Sequence, residues 1–220
     1  MIPPAALVFD LDGTLIDSRR DLTTAINRLR SELGLPPLQL EQVVEMVGEG
    51  AQVLVRRALA DWNEDLSPER LQDVLDRYLA HYWQVCLDTT RPYPGIEAML
   101  EELGRSYRLA LLSNKGENLS AHILNGLRLG GHFLEVVGGD SFPTRKPHPA
   151  GLVAIADRFD VPVERLMLIG DSHVDAETAH NAGCAFALVE WGFPRTPGTD
   201  GLEAEIRATT PEELGRLLQP

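Results

Sequence analysis

Asp10-Leu11-Asp12-Gly13-Thr14 sets two carboxylates two residues apart, directly after the apolar run Ala5-Ala6-Leu7-Val8-Phe9. That run reads as a buried β-strand, which delivers both carboxylates at its carboxyl end. Burying a carboxylate is costly unless it is paired or coordinated to a cation. A metal or a phosphate-handling reaction accounts for such a pair where packing does not. Three further polar sets follow apolar runs: Ser113-Asn114-Lys115 after 109–112, Lys146 in Arg145-Lys146-Pro147-His148-Pro149 after Val136-Val137, and Gly170-Asp171-Ser172 with Asp175 after 166–169. Each set taken singly is equally well a helix cap or a turn, because caps and turns favour these residue types. Jointly they converge on one rim, since open α/β sheets bind ligands beyond the carboxyl ends of their strands.

The chemistry follows from the charges. Asp10, Asp12, Asp171 and Asp175 crowded together repel one another and raise their pKa values. A hard divalent cation with oxygen ligands relieves that repulsion, and Mg²⁺ suits a site of few carboxylates that keeps waters and a substrate phosphate. Lys146 and the Ser113 hydroxyl supply a cation and a donor for phosphoryl oxygens. No histidine or cysteine in these motifs suits covalent attack, so an aspartate is the natural nucleophile.

The elements that must position these residues come in two textures. Between 18 and 88 the pattern is helical throughout. Leu22, Ile26, Leu29 and Leu33 make one apolar face, with Ser18 and Asp21 as its expected N-terminal cap and Gly34 followed by Pro36-Pro37 as its end. A second stretch carries Leu40, Val43, Val44 and Val47 up to Gly48-Glu49-Gly50, after which helical spacing resumes from Ala51 to Leu59. Ser67-Pro68-Glu69 opens a third, with Leu71, Val74, Leu75, Tyr78, Leu79 and Tyr82 as its stripe. From Tyr93-Pro94-Gly95 onward short apolar strands alternate with helices, ending on a final strand at 185–189. Alternation of this kind predicts an α/β fold, a Rossmann-like parallel sheet with helices on both faces. The first strand joins that sheet and the helical block is inserted after it. The expected core is 1–17 with 89–220, the inserted subdomain 18–88, and the Gly/Pro-rich stretch 192–201 a surface loop.

Composition narrows the partners. The 220 residues carry a formal net charge of −13, which offers no basic footprint for nucleic acid. For an anionic substrate, local cations must overcome an unfavourable global field. No apolar run approaches the roughly 18 residues of a membrane span, and the N-terminus lacks the basic region of a signal peptide. Cys86 and Cys184 show no metal spacing and read as free thiols of a cytoplasmic protein. The spacing leaves monomer and homodimer equally open.

The four polar sets, in this order, closely resemble the motifs of the haloacid dehalogenase superfamily: DLDGTLID at 10–17, LLSNK at 111–115, RKPHP at 145–149 and GDSHVDAETAHNAG at 170–183. Within it, GEGAQVLVRRAL at 48–59 and VVGGDSFPTRKPHP at 136–149 resemble the phosphoglycolate phosphatases. The resemblance implies a Rossmann-like core with a helical cap and Mg²⁺-dependent hydrolysis of a small phosphomonoester, 2-phosphoglycolate, through an aspartyl-phosphate. It implies Asp10 as nucleophile and metal ligand, and Asp12 as general acid and then base, with its backbone carbonyl on the metal. Asp171 becomes the third ligand, Asp175 its support, and Ser113, Asn114 and Lys146 the phosphate-binding set. Lys115 and Arg145 are expected only to enrich the positive potential. Two positions depart from the pattern: Glu49, where relatives often carry a neutral amide, and His173, read as an exposed residue of a helix's first turn. A phosphatase of another metabolite, a sugar phosphate or pyrophosphate, uses the same parts. A non-catalytic metabolite-binding protein on the same fold is the reading from a different class, and the intact Asp10, Asp12, Lys146 and Asp171 argue against it. Short breaks at both junctions of the helical block lead to the expectation that it moves relative to the sheet domain.

Overall fold

The computed structural model describes residues 3–63, 66–193 and 201–219. The chain forms two compact units, one built from residues up to Asp17 together with those from Pro92 onward, the other spanning Ser18–Arg91. The second junction of these units falls at 91/92. Asp21 is the reason: its buried carboxylate accepts from the Thr89 N–H at 3.0 Å, the Thr90 N–H at 2.8 Å and the Thr90 hydroxyl at 2.7 Å. Those bonds tie residues 89 and 90 to the helical unit.

The larger unit is an α/β sandwich. Among the described residues its sheet has six parallel strands, β1 (Ala6–Phe9), β2 (Arg108–Leu112), β3 (Glu135–Val137), β4 (Leu166–Gly170), β5 (Ala185–Val189) and β6 (Ile206–Ala208), in spatial order β3-β2-β1-β4-β5-β6. β1 belongs to this sheet, as the sequence predicts, and lies between β2 and β4; every one of its residues is buried, so both faces are covered. Alternate residues Ala6 and Val8, Ala110 and Leu112, Leu166 and Leu168, and Phe186 and Leu188 point to one apolar cluster. Leu152, Ile155 and Phe159 of one helix (Ala150–Arg158) and Ala179 of another (His173–Ala182) complete it. On the other side Phe9 meets Phe133 edge-on, with ring centroids 6.3 Å apart.

β5 is not the last strand. β6 pairs parallel with it, Ala187 to Ile206 and Val189 to Ala208, and a helix (Pro211–Leu217) follows. Ile206-Arg207-Ala208 is too short, and too polar at its centre, to show a strand's periodicity; its neighbour makes it a strand. Of the 192–201 stretch, 194–200 lie outside the described residues.

Among its described residues the helical unit has four helices, α1 (Arg19–Glu32), α2 (Leu40–Val44), α3 (Ala51–Ala58) and α4 (Pro68–Val85). α1 and α4 pack through Leu22, Ala25, Ile26 and Leu29 of one and Leu71, Val74, Tyr78 and Tyr82 of the other, all buried. Gly34 takes φ +71° just past the end of α1, as a left-handed helix stop requires. Ser67 caps α4 by accepting from the Arg70 N–H. Ser18 does not use its side chain to cap α1, and Asp21 turns to Thr89 and Thr90 instead. Arg30 is buried yet satisfied. Its guanidinium donates to the Pro36 carbonyl at 2.7 Å, the Ala58 carbonyl, and both Asp61 oxygens at 2.7 and 2.8 Å. It thereby ties α1 to the end of α3.

Candidate active site

Register brings the polar sets together. Phe9 of β1 lies level with Leu111 of β2 and Ile169 of β4, so Asp10, Ser113 and Asp171 emerge side by side just past the strand ends. The Asp10 N–H continues the ladder to the Ile169 carbonyl at 2.9 Å. The chain then turns sharply, with the Leu15 and Ile16 N–H groups both donating to the Leu11 carbonyl at 2.9 and 3.1 Å. Gly13 holds φ +85°, and a Cβ there would overlap the Asp171 carboxylate. Only glycine meets both demands.

Asp10 is buried and accepts from Lys146 Nζ at 2.7 Å. The same ammonium donates to Asp175 Oδ1 at 2.6 Å. The other Asp175 oxygen accepts from the Ser172 hydroxyl at 2.5 Å and N–H at 3.2 Å, closing a capping box at the start of the 173–182 helix. Asp171 accepts from the Phe193 N–H at 3.0 Å. Asp10, Asp171 and Asp175 each offer a carboxylate oxygen, and these atoms lie within 4.8 Å of one another.

The cluster is electrostatically strained. Burial pushes the Asp10 carboxyl up to about 6, with Asp175 and Asp12 adding to the rise and Lys146 opposing it. Burial, then Asp175 and Asp10, push Asp171 well above the usual carboxylate range. Burial opposes the charge of Lys146, but Asp10 and Asp175 outweigh it and raise its pKa. Among the described residues, one ammonium for three carboxylates leaves an excess of negative charge. An all-oxygen donor set under that repulsion fits a hard divalent cation.

Asp12 lies outside this cluster. Both its oxygens accept from Lys115 Nζ, at 2.8 and 2.7 Å. Lys115 therefore does more than enrich the positive potential; it pairs directly with a candidate catalytic carboxylate. The Ser113 hydroxyl accepts from the Lys115 N–H at 3.3 Å, and Asn114 Nδ2 donates to the Lys146 carbonyl at 3.0 Å. The loop carrying Lys115 and the loop carrying Lys146 are thereby joined.

His173 is exposed at the first residue of its helix. Glu49, in the helical unit, pairs with Arg57 at 2.5 Å. The segment after β5 is the part that motif reading passes over. Trp191 Nε1 donates to the Thr14 carbonyl at 3.0 Å, Gly192 leaves no room for a Cβ against Asp171, and the Phe193 N–H holds Asp171. Its one signal is position, since it too follows the carboxyl end of a parallel strand.

Comparison with known proteins agrees with this geometry. The family model described as haloacid dehalogenase-like hydrolase matches residues 7–189. A phosphoglycolate phosphatase of Rhodospirillum rubrum is 40% identical over 199 residues, covering 88% of this chain and 83% of that protein. A phosphoglycolate phosphatase of Nitrosospira multiformis is 36% identical over 225 residues, covering 99% and 97%. A crystal structure described as "a predicted phosphoglycolate phosphatase", from Haemophilus somnus 129pt, superposes with a TM-score of 0.91 at 28% identity, covering 100% of both chains. The match runs through all four polar sets and both units, and the chain belongs to the haloacid dehalogenase-like hydrolases.

Proposed function

We propose that this protein is a Mg²⁺-dependent phosphomonoesterase that hydrolyses 2-phosphoglycolate to glycolate and phosphate through an aspartyl-phosphate. The observation that carries the reading is the unequal treatment of two neighbouring carboxylates. Asp10 is bonded to Lys146 within the Asp10–Asp171–Asp175 cluster, while Asp12 is kept apart on Lys115. One is equipped as a nucleophile beside a cation site and the other as an acid–base group. The substrate assignment is supported by the names of the relatives that align along nearly the whole chain.

Asp10 attacks the phosphorus atom with one carboxylate oxygen, and the bond from phosphorus to the glycolate oxygen breaks. Asp12 gives its proton to that oxygen. A water then attacks the phosphorus of the aspartyl-phosphate, Asp12 takes the water's proton, and inorganic phosphate leaves with Asp10 restored. One carboxylate serves both transfers because the second reverses the proton movement of the first. Ser113 and Asn114 bind phosphoryl oxygens, and Lys146 offsets the charge shared by Asp10 and the phosphoryl group. Asp10, Asp171 and the Asp12 backbone carbonyl would hold the Mg²⁺, with Asp175 supporting them. When bound, Mg²⁺ supplies neutralisation of phosphoryl charge.

A cytoplasmic setting suits Cys86 and Cys184, neither of which is in a disulfide. Among the described residues no helix is long and apolar enough to cross a membrane.

The test is phosphate release from 2-phosphoglycolate with and without Mg²⁺, beside sugar phosphates and pyrophosphate, with Asp10→Asn as the blank. The expected result is metal-dependent release, at least tenfold favoured in kcat/KM for 2-phosphoglycolate, and none from the folded variant. Equal rates across the panel would discard the named substrate. Release that survives in Asp10→Asn would remove the mechanism.

A further inference from the structure

Asp12 stands two residues from Asp10, yet its side chain is held outside the Asp10–Asp171–Asp175 cluster. Lys115 does this. Its ammonium reaches both Asp12 oxygens at 2.8 and 2.7 Å, with the lysine side chain 6% and the aspartate 13% exposed. The lysine's own backbone is held at both ends. Its N–H donates to the Ser113 hydroxyl, and its carbonyl accepts from the Gly139 N–H at 2.9 Å. Gly139 sits so close to the Asn114 backbone that a Cβ would overlap it. The loop after β2 is therefore a rigid arm with one charged tip, and that tip ends on Asp12.

A bond to each carboxylate oxygen fixes rotation about the Cβ–Cγ bond as well as direction, which a single bond does not. The two lysines divide the work. Lys146 serves Asp10 and Asp175; Lys115 serves Asp12. An unheld Asp12 would be drawn to any divalent cation at the neighbouring cluster, and its carboxyl group would no longer face the ester oxygen.

We propose that Lys115 is the positioning residue for Asp12, a two-oxygen clamp that keeps the general acid–base carboxylate aimed at the leaving oxygen. The inference rests on the phosphatase reading above. It makes a demand that a purely structural or charge-enriching lysine does not. A glycolate alkoxide is a poor leaving group and needs the Asp12 proton in the transition state, whereas p-nitrophenolate departs without one. Removing a residue that acts through Asp12 must hurt the alkyl ester selectively. kcat/KM is the quantity to compare, because it reports the steps up to departure of the first product.

In Lys115→Met, kcat/KM for 2-phosphoglycolate is expected to fall about 100-fold, and that for p-nitrophenyl phosphate less than about fivefold. The loss lies in kcat, with KM nearly unchanged. Lys115→Arg, which keeps a cation within reach, is expected to recover to within about tenfold of the native enzyme. Mn²⁺ binding measured by calorimetry stays unchanged in both variants. If Lys115→Met fails to fold, Lys115→Gln and Lys115→Arg carry the same comparison.

Equal losses for the two esters would overturn the proposal, as would a loss confined to KM for 2-phosphoglycolate, which would make Lys115 a substrate anchor. Loss of Mn²⁺ binding would likewise overturn it by assigning Lys115 to the cluster. A native enzyme inactive on both esters would remove the phosphatase reading and this inference with it. An active native enzyme with an equally active Lys115→Met removes the inference alone.

Discussion

Gly13 shows how a residue without functional groups can decide a site. Its φ of +85° belongs to the left-handed region, and its missing side chain makes the room that the Asp171 carboxylate occupies. Gly13→Ala is expected to cost about 2 kcal/mol through backbone strain and overlap. It should also displace Asp171, weakening Mn²⁺ binding at least about tenfold. Urea unfolding and calorimetry measure the two effects, and native values in both would mean that Asp171 does not depend on this close approach. Lys146 presents the opposite case, a residue defined by its charge. Asp10 follows the end of β1 and Asp175 lies in the first turn of the 173–182 helix, 136 and 29 residues from it in the chain, and the one ammonium offsets the negative charge of both.

At the scale of elements, the helical unit closes on itself where it leaves and rejoins the chain. Asp21, in the first turn of α1, is buried and accepts from both N–H groups and both hydroxyls of Thr89 and Thr90. Four donors around one buried carboxylate make a strong join, because losing the acceptor leaves them all unsatisfied. Asp21→Ala is expected to destabilise the protein by about 3 kcal/mol in urea unfolding. Combined with Thr90→Val, the loss should be smaller than the sum of the two single losses. Strict additivity would mean that the join is not cooperative. The surface ties between α1 and α4 are of a weaker kind: Glu32 pairs with Arg77 at 2.7 Å and His81 at 2.8 Å in solvent.

At the scale of the whole molecule, the charge of −13 opposes the approach of a substrate that carries both a phosphate and a carboxylate. Lys115 and Lys146 attract it only at short range. The screening length shrinks from about 30 Å at 0.01 M salt to about 8 Å at 0.15 M, which weakens the distant repulsion more than the local attraction. Over that range kcat/KM for 2-phosphoglycolate is expected to rise about two- to fivefold, the reverse of an electrostatically steered enzyme. Stopped-time assays at constant free Mg²⁺ measure it. A fall with salt would mean that the local cations dominate even at long range.

Features joined by the covalent chain are legible in the order of residues alone. The first strand and its two carboxylates are contiguous, so an apolar run followed by Asp10 and Asp12 predicts where they emerge. Helices α1 and α4 carry their burial in their own periodicity, because a helix repeats its buried face every three to four residues. β6 is not legible in this way: three residues have no period, and β5 alone makes them a strand. Nor is the bond of Asp21 to Thr89 and Thr90, since local spacing suggests a cap on Ser18. The division of labour between the lysines belongs to tertiary structure. Asp12 and Lys115 are 103 residues apart, and nothing near either residue names its partner. Side-chain pairing across a sheet depends on strand order and register, and those are settled by packing of the whole unit. The sequence by itself determined which groups stand at the rim; the tertiary structure decided which carboxylate each lysine holds.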